Sequence, residues 1–177
     1  SETLIKHYSD LYKLEYISLR LFNVYGTRSR TTGAYGAVFG IFLKQKIEGK
    51  PFTVVGNGEQ KRDFIFVSDV VSAIEKAIFV KKKNLIFNIG ANKPFSINQL
   101  VKILGGKKIF VRDRPGEPRK TNANINFAKK KLNWKPKILF EDGVNIMIKN
   151  INDWKKTDLW DKKSISKATK NWFKYLA

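Results

Sequence analysis

Leu4, Ile5, Tyr8, Leu11 and Tyr12 recur at three- and four-residue intervals and predict a helix over residues 2–14. Residues 16–21 read as a strand that runs into Phe22-Asn23-Val24-Tyr25-Gly26. A polar, glycine-containing loop is expected over 27–36, followed by a helix through Val38, Phe39, Ile41, Phe42 and Ile47 that stops near Gly49. Residues 52–55 and 64–67 read as short strands. The turn Gly56-Asn57-Gly58 between them predicts a hairpin, with Gln60, Lys61 and Arg62 on a long polar tip.

Further along, a helix is expected over 69–79, burying Val70, Val71, Ile74, Ala77 and Ile78, and a strand over 86–90. Ser96 is placed to cap the next helix, with Gln99 completing a capping box and Phe95 and Leu100 a hydrophobic staple. That helix ends at Gly105-Gly106. Residues 108–112 form a strand, and the two prolines of 114–118 keep that stretch a loop. Asn126 is expected to cap a short helix to Leu132. Phe140, Val144, Met147, Ile148, Ile151 and Trp154 predict one long amphipathic helix. Ile165, Ala168, Thr169, Trp172, Phe173 and Leu176 predict a last one. Helix and strand alternate at the start of the chain, as α/β proteins require.

Composition narrows the chemistry. With 177 residues and 42% apolar content the chain can build a core. No apolar run is long enough to span a membrane, and no basic segment leads into an apolar one at the start, so a cytoplasmic location is expected. Absence of cysteine excludes disulfides and thiolate metal sites, and the single histidine, His7, in a polar-flanked helical stretch, reads as a surface residue. The net charge of +20 would attract polyanions. Its lysines are scattered, however, with short runs only at 81–83 and 129–131 and no nucleic-acid-binding signature, so a solvated basic surface is the preferred reading.

No acid, base or nucleophile set stands out, and Gly56-Asn57-Gly58 lies between strands where a phosphate loop would open a helix. What remains is a group of arginines on expected loops or strand ends: Arg28, Arg62, Arg112, Arg114 and Arg119. The guanidinium fork binds phosphate bidentately, which makes these better anion ligands than helical lysines. Surface ion pairing is the competing reading.

Three segments occur together, in this order and at comparable spacing, in extended short-chain dehydrogenases/reductases acting on nucleotide sugars. They are Leu19-Arg20-Leu21-Phe22-Asn23-Val24-Tyr25-Gly26, the run from Gly56 to Asp69 (GNGEQKRDFIFVSD), and Phe87-Asn88-Ile89-Gly90. Arg114-Pro115-Gly116-Glu117 and Leu132-Asn133-Trp134-Lys135-Pro136 resemble the family's closing loop and a Leu-Gly-Trp-x-Pro turn. Asn133 stands there for the glycine and tolerates the left-handed conformation. Asn124 stands where the family commonly has aspartate. The chain thus resembles the C-terminal part of a UDP-glucose 4-epimerase-like enzyme from about residue 2 to 154, and 157–177 falls outside the common pattern.

The resemblance implies the end of a Rossmann-type parallel sheet joined to a small mixed α/β substrate-binding lobe. Residues 1–36 would finish the Rossmann-type domain, 37–156 would hold the lobe with interleaved Rossmann elements, and 157–177 would be a helical extension. Asn23 would bond the substrate, Val38, Thr53 and Val55 would flank the base, Arg62 and Arg114 would clamp the diphosphate, and Glu117 would meet the ribose hydroxyls. Leu21 and Phe22 would contact the nicotinamide of NAD or NADP. The partner ligand is a nucleotide-diphosphate sugar, and the intact enzyme is expected to be a homo-oligomer. The family's catalytic Tyr-x-x-x-Lys pair would precede Glu2, with the dinucleotide-binding half, so no catalytic residue is assigned here and the 177 residues alone are expected to be inactive. A 4-epimerase is the first expectation and a 4,6-dehydratase or reductase the second. A non-catalytic nucleotide- or polyanion-binding module is the rival from another class.

Overall fold

A computed structural model describes residues 2–32 and 38–176; the last part of the loop expected over 27–36 and the side chains of Trp172 and Leu176 lie outside the described residues. The first helix, α1 (Glu2–Tyr12), leads into β1 (Ile17–Leu21), and β2 (Asn23–Tyr25) follows after one residue. Next come α2 (Val38–Ile47), β3 (Phe52–Val55), β4 (Lys61–Arg62), β5 (Phe64–Phe66) and α3 (Val67–Ile78). The chain continues through β6 (Leu85–Ile89), β7 (Phe95–Ser96), α4 (Ile97–Leu104), β8 (Lys108–Val111) and α5 (Asn126–Leu132). It closes with α6 (Phe140–Lys149), a 3-10 turn (Ile151–Trp154) and α7 (Lys162–Leu176).

Among the described residues three of the four strand pairs are parallel, the signature of an α/β fold. β1 runs beside β6 with Ile17 opposite Leu85, and β2 beside β5 with Asn23 opposite Phe64. The hand-over between them takes a single step: Phe22 N–H donates to the Ile89 carbonyl, and Asn23 N–H to the Asp63 carbonyl. Asn23 thus stands where the chain changes strand partners, the kind of crevice that α/β sheets use for ligands.

The hairpin expected from residues 52–67 does not form. β3 instead pairs in parallel with β8, and β5 with β2, while β4 pairs antiparallel with β7. Gly56 and Gly58, both at positive φ, do reverse the chain. The strands on either side are almost wholly buried, and strands covered on both faces find parallel partners elsewhere.

Helix boundaries and buried faces follow local chemistry with three exceptions. Ser96 Oγ accepts from Gln99 N–H while Gln99 Oε1 accepts from Ser96 N–H, the expected capping box, and Asn133 adopts φ 46° and ψ 48°. Asn126, however, makes no cap: it is the first residue of α5, Ile125 holds the cap position without a side-chain bond, and the Asn126 N–H donates to Asn124 Oδ1. The helix expected to run to Trp154 ends at Asn150, which accumulates short-range bonds to the carbonyls of Ile146 and Met147 before the 3-10 turn. On α3, Val70, Ala73 and Ala77 are buried as a stripe, but Val71, Ile74 and Ile78 face outward, contrary to expectation. His7 is exposed, as read from its neighbours.

Two cores result. The first gathers Tyr25, Phe39, Phe42, Phe64, Phe66, Phe95 and Phe140 with Trp154. Its rings interlock: Tyr25 stacks on Phe39 at 4.3 Å and Phe95 on Phe140 at 4.1 Å between centroids. Gly143 lets α6 approach this core, since a Cβ there would collide with the Tyr25 hydroxyl. The second core joins Ile65, Val70, Phe87 and Ile89 to Ala128, Leu132 and Trp134 of the segment after β8.

Candidate functional site

The first core forms one wall of a cavity of about 550 Å³. Its floor is apolar, with Phe39, Ile41 and Phe42 from α2, Phe64 from β5 and Ile97 at the start of α4. All seven residues expected to meet a nucleotide sugar line it: Asn23 and Val38, Thr53 and Val55 of β3, Arg62 of β4, and Arg114 and Glu117 of the loop after β8. The loop after β8 is tied to β4 through Arg62, which donates to the Pro118 carbonyl and to Glu117.

Arg62 is nearly buried and has a defined geometry. Its Nη1 donates to the carbonyls of Lys61 at 3.0 Å and Pro118 at 2.8 Å, and its Nη2 to Glu117 Oε1 at 2.7 Å. Arginine has five donors. The Nε proton and the second Nη2 proton therefore have no partner among the described residues. Ion pairing and anion binding are thus compatible here, because the pair with Glu117 aligns the fork and ties the closing loop to β4. Strand pairing holds the base of Arg62: Phe95 lies opposite it, and the adjoining Asp63, fully buried, accepts from the amides of Ala91, Asn92 and Ala123. Gly90 makes room for that carboxylate, which a Cβ would crowd at 2.8 Å.

Asn23 is oriented in turn. Thr121 Oγ1 donates to Asn23 Oδ1 at 3.0 Å while accepting the Asp63 N–H at 3.1 Å. The Asn23 amide Nδ2, a donor, is left without a partner among the described residues. Thr121 and Gln60 are lining residues that the sequence did not disclose; Gln60 Nε2 donates to the Val55 carbonyl and braces the end of β3.

The other arginines separate cleanly from this pair. Arg112 lies over the Phe173 ring at 4.4 Å, Arg119 reaches Asp113 at 3.6 Å on the exposed surface, and Arg28 occupies a left-handed turn at φ 61°. None of the three lines the cavity. Leu21 and Phe22 do not line it either. They lie at the carboxyl end of β1, with Leu21 about half exposed and Phe22 packed on the second core. Among the described residues, no helix is long and apolar enough to cross a membrane, and no cluster of three His, Asp or Glu side chains is placed to hold a metal ion.

The model of the NAD dependent epimerase/dehydratase family matches residues 1–90. A dTDP-4-dehydro-6-deoxyglucose reductase from Escherichia coli is 34% identical over 76% of this chain and 44% of its own length. A UDP-glucuronate 4-epimerase from Thermodesulfobacterium geofontis is 34% identical over 93% of this chain and 49% of its own. Among solved structures, the UDP-glucuronic acid 4-epimerase of Bacillus cereus, in complex with UDP-glucuronic acid and NAD, superposes with a TM-score of 0.76 at 33% identity. That match covers 85% of this chain and 49% of the enzyme. The chain spans about half the length of these relatives. With a parallel α/β sheet and a family match over its first half, the chain belongs to the NAD-dependent epimerase/dehydratase family.

Proposed function

We propose that this chain forms the substrate-binding wall of an NAD-dependent nucleotide-sugar 4-epimerase. The observation that carries the reading is the convergence of Asn23, Val38, Thr53, Val55, Arg62, Arg114 and Glu117 on one cavity. The diphosphate lies against Arg62 and Arg114, where the two uncommitted Arg62 protons offer charge-assisted bonds. Glu117, held by Arg62, presents its second oxygen to the ribose hydroxyls. Thr53 and Val55 flank the base, and the Asn23 amide donates to the sugar end.

NAD, when bound, would supply the hydride-transfer chemistry at the sugar C4 position. Leu21 and Phe22 suit its nicotinamide end, being apolar side chains at the carboxyl end of a parallel strand. None of the glycine-rich turns among the described residues opens a helix, so the dinucleotide phosphates are held by a segment other than these. Base catalysis belongs to the Tyr-x-x-x-Lys pair that the resemblance places ahead of α1. What these residues contribute is binding and orientation, which lower the barrier by fixing the sugar against the reacting groups.

The test is calorimetric. UDP-glucose should bind the 177-residue chain, NAD should not, and conversion to the 4-epimer should require a dinucleotide-binding half supplied from a family relative. Binding of NAD by the chain alone, or no binding of UDP-glucose, would overturn the reading. The 34% identity to a dTDP-sugar reductase favours reduction as the second reading. Product analysis in the reconstituted enzyme separates the two.

A further inference from the structure

Residues 157–177 fall outside the family resemblance, yet they are anchored to α2. Lys44 Nζ donates to the Lys155 carbonyl at 2.8 Å, and Gln45 Nε2 donates to the Trp160 carbonyl at 2.7 Å and to Thr53 Oγ1 at 2.8 Å. Trp160 and Ile165 of this segment line the first cavity. Their neighbours Leu159, Asp161 and Ser166 line a second groove of about 1010 Å³, bounded by α7 and by Thr53 of β3 and Ile109 of β8.

Charge in this groove is one-sided. Lys50, Lys162, Lys163, Lys167 and Lys170 line it with a single carboxylate, Asp161, which already accepts from the Ser164 N–H and hydroxyl. None of the five lysines forms a salt bridge among the described residues, and α7 holds no acidic residue from Lys162 to Leu176. Lys163, Lys167 and Lys170 recur at steps of four and three, so they share a helix face on which like charges repel. Lys162 and Lys163 also open the helix, at the end where its dipole disfavours cations. The run Lys129-Lys130-Lys131 is placed the opposite way, in the last turn of α5, where the dipole favours it. The lysines of the groove thus stand against the local electrostatics of the chain, and a counter-charge from outside would relieve them.

Shape and floor narrow what that counter-charge belongs to. A groove takes in a single extended chain, whereas a lipid surface would meet only its rim. Single-stranded nucleic acid stacks its bases on aromatic faces and favours arginine at phosphate. No arginine lines the groove, and its one aromatic lining residue among those described, Phe173, already carries the Arg112 guanidinium on its ring. A second copy of this chain, at a net charge of +20, would repel the first. Carboxylates interspersed with apolar side chains match both the lysines and the floor of Pro51, Ile109 and Leu159.

We propose that this groove docks an acidic peptide segment of a partner protein, with its carboxylates on the lysines of α7 and its apolar side chains on Ile109 and Leu159. Docking there is independent of what the first cavity binds.

The experiment follows the fluorescence anisotropy of a labelled peptide of alternating glutamate and leucine mixed with the 177-residue chain at physiological salt. The chain should bind it, and the unlabelled peptide should displace it. Lys163→Gln/Lys167→Gln/Lys170→Gln should lose at least about tenfold in affinity, and Lys129→Gln/Lys130→Gln/Lys131→Gln, which removes the same charge elsewhere, less than about twofold. Ile109→Glu, at a position already exposed, should lose about tenfold by placing a carboxylate on the floor. Equal losses in the two triple variants would mean attraction by total charge alone and would overturn the proposal. So would the absence of binding by the wild type, or undiminished binding by Ile109→Glu. Tighter binding of single-stranded oligothymidylate, or of anionic phospholipid vesicles, than of the peptide would give the groove to nucleic acid or to a membrane surface and overturn it as well.

Discussion

The cavity wall and the outer faces of α1 and α3 are built from similarly apolar sequence, and they end up in opposite environments. Around the cavity, Phe39, Phe42, Phe52, Phe64 and Phe140 are 5% exposed or less, covered by α4, α6 and the turn at Trp154. On α1, by contrast, Leu4, Tyr8, Leu11 and Tyr12 are about half exposed or more, and on α3 so are Val71, Ile78 and Phe79 at its end. Periodicity reports that a face is fit to be covered and says nothing of what covers it. The cavity finds its cover within the described residues; the helix faces beside β1 and β6 do not.

The comparison breaks first if the cavity side is not a self-sufficient core. Trp154→Ala removes a fully buried indole and its bond to the Ser29 carbonyl, and should cost about 3–5 kcal/mol in denaturant unfolding, with loss of UDP binding. A smaller loss would mean that the C-terminal turn is peripheral. Next, Arg62→Ala or Arg114→Ala should weaken UDP affinity by about 2–4 kcal/mol in calorimetry, because a charge-assisted contact to phosphate is lost. Arg119→Ala, outside the cavity, should leave affinity unaltered.

Tyr25 supplies a pH-dependent probe of the same core. Burial first, then the carboxylates of Asp69, Glu141 and Asp142, hold its phenol well above the ordinary 10.0. The folded chain keeps this proton where the unfolded chain loses it. Stability from this group is therefore complete below about pH 10 and falls as pH rises further, by about 1.4 kcal/mol per pH unit. Tyr25→Phe should flatten that slope relative to the wild type in alkaline denaturation, at the cost of the bond to the Phe140 carbonyl.

The smallest effect on stability is expected on the other side. The apolar faces of α1 and α3 should make the chain self-associate with increasing concentration. Phe79→Lys should reduce association in sedimentation while moving stability by less than about 0.5 kcal/mol and UDP affinity not at all. Association unchanged by this substitution would mean that the exposed stripe of α3 is not the contact.

These two sides also differ in how far the sequence disclosed them. Features carried by neighbouring residues were legible: the capping box at Ser96 and Gln99, the left-handed Asn133, the breaks at Gly49 and Gly105. Arg62 and Arg114 were legible as a pair because two readings, guanidinium chemistry and family motif, met on them. Strand partnership was not, since the turn at 56–58 advertises a local reversal while the pairing energy of β3 and β5 lies with β8 and β2. Nor was the outward turn of Val71 and Ile74, which share the apolar character of Val70 and Ala73 but not their position over the sheet. Thr121, Gln60 and Trp160 reach the cavity only through tertiary packing, and no spacing in the chain announces that.

The parallel pairing of β1 with β6 bears on the speed at which this chain acquires its structure. Tyr16 N–H meets Asn84 Oδ1 across 68 positions, and Phe52 must find Lys108. Neither contact forms until most of the intervening chain has been ordered, and the entropy of closing such loops falls before any reward. Folding should therefore be slow beside that of a helical protein of equal size, with the edge of β1 that β6 covers left open until β6 has been made. During that interval its edge is open to strands of other chains, and yield on refolding should fall as protein concentration rises.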